Sequence, residues 1–421
     1  MTTTFPSTSP PPVAQTGAIA WVRKNLFSSW FNTLLTVLIV AILSGMALDF
    51  SQWALTEAKW DVIPKNMGLF FTGRYPAAQR WRMWTLFGMM VVISGMTWGI
   101  LAHAATRLFS RRIVIGFAIG AIATMLLPIH PRNHVILLSF LVLLAAGAWC
   151  GRWLTQTAPK VSQWWPAGWV LAYVLSLWLL AGGFGLKPVS SNDWGGFVLT
   201  VFMAVSSIVL CFPAGVLLAL GRRSDLPIVR WLCTAFIEVV RGVPLIAWLF
   251  FGKFIFPDFL PVGSPTPNNL IRAIFVLAMF SAAYLAENVR GGLQAIPRGQ
   301  TEASQALGLN PFLTTALIVL PQALKISIPA IVGQFISLFQ DTTLLYLVDV
   351  QELLSMANTV LANPLFLGRR GEVYLFIGII YWVSCYAMSV GSRRLERALS
   401  AEYRPVAIAG AEVQQREVGG T

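Results

Sequence analysis

The feature that most constrains this chain is a succession of apolar runs, each long enough to cross a lipid bilayer. A spanning helix needs about 20 mostly apolar residues, and the sequence holds about ten such runs. In lipid each backbone polar group must be satisfied within its own segment, so such runs form helices. We predict an all-α, polytopic membrane bundle of about ten transmembrane helices, centred near Val40, Val92, Ile119, Leu141, Val174, Ile208, Leu245, Ala278, Pro329 and Tyr381.

Composition and charge agree with this class. Hydrophobic residues make up 56% of the 421 residues and charged residues only 11%, which is far too little charge for a soluble domain. The net charge of +13 would suggest nucleic acid in a soluble protein. Here the basic residues lie in short segments between apolar runs, as the positive-inside rule expects of a membrane protein. Examples are Arg107, Arg111, Arg112, Arg222, Arg223, Arg230, Arg393, Arg394 and Arg397.

The loop charges predict an orientation with both termini in the cytoplasm. The loops 104–112, 150–167, 221–231 and 291–311 then all face the cytoplasm, and each carries Arg or Lys. The tail after Gly391 lies on the same side. One region argues against this orientation, because the outer loop 49–84 carries Arg80 and Arg82 close to a span. That loop is long and also holds acidic residues, so the orientation is kept.

A cluster of Pro, Ser, Asn and Asp at 187–194 predicts a boundary between two membrane modules. We predict a disordered cytoplasmic tail at 1–28, not a cleaved signal peptide, and an N-terminal module of about five helices at 29–185. A second module of about five helices follows at 195–395, and a cytoplasmic tail at 396–421. Within the first module, the turn 128–134 splits one long apolar run, because its two prolines cannot continue a helix cheaply in lipid.

The sequence predicts no catalytic or metal site. Neither the cysteines nor the histidines have the spacing of a metal site, and a turn with Pro131 separates His130 from His134. The cysteines are interpreted as small buried apolar residues. These residues are Cys150, Cys211, Cys233, Cys385, His103, His130 and His134.

The loop 297–311 has the pattern of a short helix at the membrane surface. Pro297 suits the first turn of a helix, and Gly308 suits the left-handed position after its end. Between them Ala303, Ala306 and Leu307 share one face, where small side chains let a partner approach closely. On this pattern alone, the loop is either a docking site for a partner or a plain connector.

The spacing of the wider segment resembles a known docking loop. Glu302-Ala303-Ser304 is followed by three residues, Gly308, nine residues and Ile318-Val319-Leu320-Pro321. This resembles the ATPase-docking (EAA) loop of ABC importer permeases, with Ser304 in place of a second small residue, Ala. The resemblance implies that the ATPase contacts Glu302, Ala303, Ser304, Ala306, Leu307 and Gly308.

The chain from Thr200 to Leu354 resembles the polar amino acid ABC permeases almost continuously. The matching elements are Arg241-Gly242-Val243-Pro244-Leu245, the run from Ala283 to Gly292, Ile296-Pro297-Arg298-Gly299-Gln300, and Gln340-Asp341-Thr342-Thr343-Leu344. The resemblance implies a type I importer permease core at 195–395 with its coupling loop at 297–311. The shortest family members have only this core, and the longer chain resembles one subunit of the general L-amino acid importers.

The resemblance also implies the partners and the location. It implies a bacterial inner-membrane permease for polar L-amino acids that works with ABC ATPase subunits and a periplasmic amino-acid-binding protein. A second, different permease chain completes the transmembrane unit. The sequence has no G-x-x-x-x-G-K-[ST] phosphate loop. This chain is therefore expected to bind no cofactor, while the partner ATPase uses ATP and Mg²⁺.

Charged residues within the spans allow two interpretations. Glu287 and Arg290 are three residues apart, as are Glu238 and Arg241, so they form internal ion pairs or contact a zwitterionic substrate. Glu287, Gln334 and Asp341 are the candidates for the substrate pathway; the last two are seven residues apart and share one face of a continuous helix.

Further alternatives stay open. Pro321 and Pro329 are either ordinary kinks or hinges that transmit motion of the docking loop. The main alternative function is a secondary amino acid transporter or channel that needs no ATPase, because broken helices and paired charges would suit it as well. A membrane scaffold protein is a third, and only for the first half.

Overall fold

The computed structural model describes residues 18–102, 108–126, 131–162 and 164–401, and these are almost entirely helical. No β-strand occurs in these ranges beyond isolated bridges. The α-helices are α1 (Ala18–Leu26), α2 (Trp30–Gln52), α3 (Val62–Thr72), α4 (Trp81–Leu101), α5 (Arg111–Leu126), α6 (Pro131–Thr157), α7 (Pro159–Ser162), α8 (Trp165–Ala181), α9 (Gly196–Arg222), α10 (Pro227–Gly242), α11 (Leu245–Phe250), α12 (Asn269–Gln294), α13 (Arg298–Ala306), α14 (Pro311–Leu313), α15 (Leu320–Asp341), α16 (Leu353–Leu361) and α17 (Arg370–Ala401).

The chain divides into two compact units, and the division lies between Trp60 and Asp61. In the described part of the first unit, α2 continues into a π-helical turn, Trp53–Glu57, and none of its side chains is buried. Helix α1 lies within the segment 1–28 that was predicted to be disordered, so the predicted tail is too long at its C-terminal end. The second unit holds α3 to α17, and the irregular segment before α9 lies inside it.

The number of spans agrees with the prediction only approximately. Seven helices in the described ranges are long and apolar enough to cross a membrane, and a bent pair makes an eighth. Two shorter apolar helices, Ile113–Ile122 and Trp165–Ala181, fall below spanning length. Helix α5 ends at Leu126 and α6 begins at Pro131. Pro131 and His134 therefore lie in a helix and not in the turn predicted at 128–134, and residues 128–130 lie outside the described residues.

The span predicted around Leu245 is broken rather than straight. Helices α10 and α11 meet at an angle of 102°. Pro244 has no N–H and disfavours a helical conformation of Val243, which is extended at φ −109° and ψ 134°. The indole N–H of Trp248 donates to the Val240 carbonyl across the corner at 3.2 Å. This hydrogen bond gives the Val240 carbonyl a partner, because Pro244, four residues later, has no N–H to donate.

Helix α12 is the centre of the bundle in the second unit, since half of its apolar window is buried. It packs closely against α9, where a Cβ on Gly215 would lie 2.9 Å from the Ala282 carbonyl oxygen. It also packs against α15, where the Ser327 hydroxyl donates to the Asn288 carbonyl at 3.0 Å. Because α12 contacts both helices, its Glu287 pairs with Arg222 of α9 and its Asn288 bonds to the Ala330 carbonyl of α15.

In the N-terminal half, α4 and α6 cross at a pair of glycine motifs. Gly95 and Gly99 are four residues apart on α4, and Gly147 and Gly151 are four apart on α6. A Cβ on Gly95 would lie 2.5 Å from the Leu144 carbonyl oxygen, and one on Gly147 would lie 2.6 Å from that of Val92. Small residues at this spacing let two membrane helices approach backbone to backbone. The sequence analysis did not identify this glycine crossing.

One of the two arginines that argued against the predicted orientation, Arg82, is buried, whereas Arg80 is only partly buried. Arg82 is 2% exposed, and its Nη1 donates to the Lys187 carbonyl at 2.9 Å. The positive-inside rule describes charges that remain in water beside the membrane. Arg82 is instead part of the packing between the start of α4 and the segment that follows α8.

Candidate functional site

Helix α13 ends next to Gly308 as predicted, and Pro297, predicted in its first turn, lies just before it. It begins directly after Pro297 and ends at Ala306. Gly308 has φ +82°, its N–H donates to the Gln305 carbonyl at 2.9 Å, and the Leu309 N–H donates to the Ser304 carbonyl at 3.1 Å. These two bonds form a Schellman cap, which requires a left-handed residue and therefore favours glycine. The cap ends α13 within one residue and leaves its last turn exposed.

The face of α13 that points away from the bundle is open. Glu302, Ala303, Ala306 and Leu307 are exposed, and Leu307 is 83% exposed although it is apolar. Leu307 and the small side chains beside it are therefore not covered by any other part of the described chain. The six residues that the sequence analysis assigned to docking therefore include four exposed side chains and an exposed glycine.

Ser304, the sixth of them, lies on the opposite face and is 3% exposed. Its hydroxyl donates to the Thr301 carbonyl at 2.8 Å and lies 3.1 Å from the Thr314 hydroxyl. A buried side chain cannot contact a docked partner directly. Ser304 instead attaches α13 to the segment that leads into α15.

That segment is π-helical from Thr314 to Val319. A second contact supports the attachment, because the Gln322 amide nitrogen donates to Gln300 at 3.2 Å and to the Ile318 carbonyl at 2.9 Å. The π-helical turn lies directly before Pro321, and Pro329 lies inside α15. Single π-helical turns interrupt the regular hydrogen-bond ladder and often occur at functional sites.

A second candidate group is a cluster of charges around Glu287. One carboxylate oxygen accepts a bond from Arg222 at 2.6 Å, and the other accepts two from Arg290 at 2.6 and 2.9 Å. Arg241 lies 3.9 Å away and stacks over the Tyr284 ring at 5.2 Å. The Glu287 side chain is only 16% exposed. Ion pairs of this kind compensate for the burial of a charge, which supports the ion-pair interpretation of Glu287 and Arg290.

The predicted pairing of Glu238 with Arg241 differs from the structure. Glu238 bonds to Arg222 at 2.9 Å, and Arg241 is turned towards Glu287. The reason is geometric, since Arg222 at the end of α9 reaches between α10 and α12 and offers separate nitrogens to the two carboxylates. Sequence reasoning treated Arg222 as a loop charge, because nothing local indicates a partner 65 residues away.

The three residues predicted to line the substrate pathway do not form one site. Glu287 lies beside Asn288, whose amide donates to the Ala330 carbonyl of α15 at 3.2 Å. Asp341 lies eleven residues beyond Ala330 on the same helix, which is about 16 Å at a rise of 1.5 Å per residue. Gln334 lies between them. Helix α15 is continuous from Gln334 to Asp341, as the shared-face prediction requires.

A buried carboxylate that sequence reasoning missed is Glu352, which is 0% exposed. It caps the N-terminus of α16 by accepting the backbone N–H groups of Leu354 at 2.8 Å and Ser355 at 2.7 Å. The Tyr381 hydroxyl also donates to it, at 3.1 Å. Burial raises the pKa of Glu352 to about 7, although these three hydrogen bonds act to lower it.

This raised pKa predicts a pH-dependent stability. The folded state favours the protonated carboxyl, so its contribution is fully present below the ordinary pKa of 4.5 and is lost as pH rises through about 7. We expect the stability of the wild type to fall by on the order of 2 kcal/mol between pH 5 and pH 8, and that of Glu352→Gln, which cannot ionise, to change much less over this range. Thermal unfolding of the purified chain at both values tests this.

The matched control for this experiment is Glu396→Gln, because Glu396 is exposed and its replacement should leave the pH dependence of the wild type in place. An identical pH dependence in the wild type and in Glu352→Gln would contradict the prediction.

No group of three or more metal-ligating side chains occurs among the residues that the structure describes. His134 lies inside α6 and its Nδ1 is 2.7 Å from the Thr124 carbonyl oxygen. His103 and His130 lie outside the described residues. The four cysteines are unpaired, and only Cys211 is fully buried. Cys150 is exposed, and Cys233 and Cys385 are partly buried, so the interpretation as buried residues is wrong for Cys150.

Comparison with known proteins identifies the family. The family model "Binding-protein-dependent transport system inner membrane component" matches residues 211–401. The chain is 36% identical over 406 residues to the inner membrane amino-acid ABC transporter permease protein YhdY of Escherichia coli (strain K12), which covers 92% of this chain and 95% of that protein.

Two further relatives differ in length. The glutamate/glutamine/aspartate/asparagine transport system permease protein BztC of Rhodobacter capsulatus is 35% identical, with 94% of this chain and 96% of that protein covered. The glutamate/aspartate import permease protein GltK of Escherichia coli O6:H1 is also 35% identical, but covers only 48% of this chain and 91% of its own length.

The similarity to long relatives therefore extends over nearly the whole chain. The helical fold and the apolar spans agree with a multi-pass inner-membrane protein. Members of this family are non-catalytic subunits that work with an ABC ATPase and a substrate-binding protein. This chain belongs to the amino-acid ABC importer permeases, the inner-membrane components of binding-protein-dependent transport systems.

Proposed function

We propose that this chain forms a translocation pathway for polar L-amino acids with a second, different permease, and that α13 docks the ATPase. The observation that carries the proposal is the position of α13. It is a short helix held between α12 and α15, and its outer face exposes Glu302, Ala303, Ala306, Leu307 and Gly308.

The contacts of α13 define how docking would act on the pathway. When the docked ATPase moves, α13 moves with it. The Ser304–Thr314 and Gln300–Gln322 contacts transmit this movement to the start of α15. The base of α15 is π-helical and is followed by Pro321, so its regular hydrogen bonding is already interrupted. In this proposal the π-helical turn is the hinge. The movement of α15 about this hinge displaces the face of α15 that lines the pathway.

The charge cluster would hold the neighbouring helices during this movement. Arg222, Glu238 and Glu287 join the ends of α9, α10 and α12. Arg290 lies four residues before the end of α12, about 6 Å along the helix. The cluster therefore lies at the end of the bundle that carries α13. We assign Glu238, Arg241 and Arg290 to an ion-pair network at the inner mouth of the pathway.

The proposed orientation has both termini in the cytoplasm and α13 on the cytoplasmic side. The burial of Arg82 supports it, since one of the two opposing charges is not exposed at the membrane surface. The relatives' names make glutamate, glutamine, aspartate and asparagine the first substrates to test. In this arrangement the ATPase uses ATP and Mg²⁺, and this chain binds no cofactor.

The test is affinity purification of the tagged chain in mild detergent, followed by reconstitution of the recovered complex into liposomes. We expect an ABC ATPase and a second permease to copurify, and uptake to need external binding protein and internal Mg-ATP. Recovery of the ATPase with this permease alone would replace the heterodimer with a homodimer. A chain that purifies alone and moves amino acids down an ion gradient would replace the importer with a secondary transporter.

Two substitutions separate pathway residues from structural ones. Glu287→Gln leaves Arg222 and Arg290 without their carboxylate, so we expect a loss of about 2 kcal/mol in the free energy of unfolding. We expect Asp341→Asn to keep the stability of the wild type, because no ion pair involving Asp341 occurs in the described ranges. It should instead lower the rate of uptake or change the range of amino acids transported.

Both variants are measured in the same liposomes, and unfolding is followed in the same detergent. Unchanged uptake rates and an unchanged substrate range in Asp341→Asn would remove Asp341 from the pathway. Normal stability of Glu287→Gln would show that the charge cluster does not hold the bundle.

A further inference from the structure

Glu352 is connected to the end of α15 through one tyrosine. Tyr381 of α17 donates its hydroxyl to the Glu352 carboxylate at 3.1 Å. The ring of Tyr381 packs against Phe339 of α15, with the two ring centroids 5.4 Å apart. Phe339 lies two residues before Asp341, where α15 ends. The carboxylate is therefore linked to the last turn of α15, which carries the pathway candidate Asp341.

The turn that holds Glu352 is also bonded to α9. The Gly196 N–H donates to the Gln351 carbonyl at 2.9 Å, and the Leu353 N–H donates to the Thr200 hydroxyl at 3.0 Å. These two bonds lie on either side of Glu352, and Thr200 is fully buried. The backbone of Glu352 is therefore fixed relative to α9, and Tyr381 is the link from this fixed point to α17 and α15.

The hydrogen bonds of Glu352 suit its ionised form. Its carboxylate has three partners, the N–H groups of Leu354 and Ser355 and the hydroxyl of Tyr381, and all three donate. An ionised carboxylate only accepts, whereas a protonated carboxyl has an O–H that needs an acceptor of its own. Complete burial opposes ionisation. The Tyr381 bond is therefore charge-assisted and strong in the ionised form, and weakens or reverses when the carboxyl takes up a proton.

Tyr381 is the titratable group that bonds to Glu352. On α9 the neighbouring Thr200 does not titrate, and on α17 Glu372 lies nine residues before Tyr381, about 13 Å along the helix. In the described ranges no charged side chain pairs with Glu352. The other titratable residues near it on the surrounding elements do not bond to its carboxyl; they are Lys65, Asp341, Tyr346, Asp349, Tyr374 and Cys385. A change of charge at Glu352 therefore acts first on the bond to Tyr381.

We propose that Glu352 is a positioning residue of transport, whose ionised carboxylate acts through Tyr381 to align the last turn of α15. When the carboxyl takes up a proton, the bond to Tyr381 weakens and this turn is less well aligned. The inference rests on the proposed function, because α15 is the helix that moves there. The docked ATPase would then drive one end of α15, and Glu352 would guide the other.

The test is ATP-driven uptake by the reconstituted complex at pH 6 and pH 8, with the rate of each variant divided by the wild-type rate at the same pH. This ratio removes the pH dependence of the partner proteins. Because Glu352→Gln cannot ionise, we expect its maximal rate to be about a tenth of the wild-type rate at pH 8, as the loss of one hydrogen bond to a charged group predicts. At pH 6 the two rates should approach each other. The half-saturating substrate concentration should not change, because Glu352 does not contact substrate in this proposal.

Tyr381→Phe removes only the hydroxyl and keeps a ring against Phe339. We expect it to lower the maximal rate at pH 8 as Glu352→Gln does. The double variant should be no slower than either single one, because both residues act through the same bond. The matched control is Tyr374→Phe, since the Tyr374 hydroxyl also joins α17 to α16 but bonds to Asn358, at 2.9 Å. It should keep the wild-type rate at both pH values.

A second measurement does not depend on transport. Infrared difference spectra of the full chain in lipid nanodiscs, recorded between pH 5 and pH 8, report the carbonyl stretching band of protonated carboxyl groups. We expect a component of this band to disappear as pH rises through about 7, and to be absent from Glu352→Gln. In Tyr381→Phe it should disappear at a higher pH, because the hydroxyl that lowers the pKa of Glu352 is gone.

Three results would overturn the proposal. The first is a ratio of Glu352→Gln to wild-type uptake that is the same at pH 6 and pH 8, which would leave Glu352 with a structural role only. The second is uptake by Tyr381→Phe equal to that by Tyr374→Phe. The third is an infrared band that is the same in the wild type and in Glu352→Gln. An inactive wild-type complex would instead contradict the proposed function, and the infrared spectra would then decide whether the proton at Glu352 controls the Tyr381 bond.

Discussion

Replacing Gly308 by tryptophan is expected to abolish ATP-driven uptake while leaving the chain in the membrane at its normal level. Gly308 lies at the end of α13, and no other part of the described chain comes within 4 Å of the position where its Cβ would lie. A large side chain there meets nothing in the chain itself. It would project from the exposed end of α13, where the partner ATPase is proposed to bind.

The left-handed conformation of Gly308 complicates this substitution, because φ of +82° disfavours any side chain. The matched control is therefore Gly308→Asn, since asparagine tolerates this region better than other residues. We expect Gly308→Asn to retain most of the uptake and Gly308→Trp to retain about 1% or less, which corresponds to about 3 kcal/mol or more of lost coupling.

Uptake by liposomes and copurification of the ATPase are measured for both variants. Loss of the ATPase from Gly308→Trp alone would place the contact at this surface. Full uptake by Gly308→Trp would remove the docking role from α13. Equal losses in both variants would show that backbone strain, rather than the size of the side chain, is responsible.

The local signals in the sequence were sufficient to predict α13. A proline before the helix, a glycine after it and an asparagine that caps the next helix are separated by few residues, and each acts on its own neighbours. Asn310 accepts the Leu313 N–H at 2.8 Å. The burial of Ser304 was not predictable, because it depends on Thr314, which lies across the turn.

The charge cluster and Glu352 show what the sequence could not reveal. The i,i+3 spacing predicted the Glu287–Arg290 pair, because both residues lie on one helix. It could not predict that Arg222 would reach both Glu238 and Glu287, since that contact depends on how three helices pack. Glu352 follows a loop in the sequence and looks like a surface residue, and only the packing of α16 and α17 buries it.

The apolar pattern predicted where helices lie, but not how they end or bend. It placed a span around Leu245, where Pro244 turns the chain through a corner. It also missed α3, which has the buried residues Val62, Ile63 and Phe70 in a segment interpreted as a loop. Hydropathy averages over a window of about 19 residues, so short buried helices and sharp corners fall below its resolution.

The glycine crossing of α4 and α6 leads to the second large effect, a loss of stability in Gly99→Leu. A Cβ on Gly99 would point onto the Ala148 carbonyl oxygen, and one on Gly151 onto that of Met96. Backbone atoms cannot move aside as a flexible side chain can, so the helices must separate along the whole crossing. The crossing is also joined to α8, because the indole N–H groups of Trp165 and Trp169 donate to Thr97 at 2.8 and 3.0 Å.

We therefore expect Gly99→Leu to lose about 3 kcal/mol or more in the free energy of unfolding, at the upper end of the range for overpacked sites. Gly116→Leu is the matched control, since Gly116 lies in an apolar helix with nothing within 4 Å of its Cβ position. Both are followed by thermal unfolding in detergent and by the yield of the copurified complex. If Gly99→Leu unfolds like Gly116→Leu, the two helices do not pack at this crossing. If it is destabilised but the remaining folded protein still transports normally, the N-terminal half acts as a scaffold and not as part of the pathway.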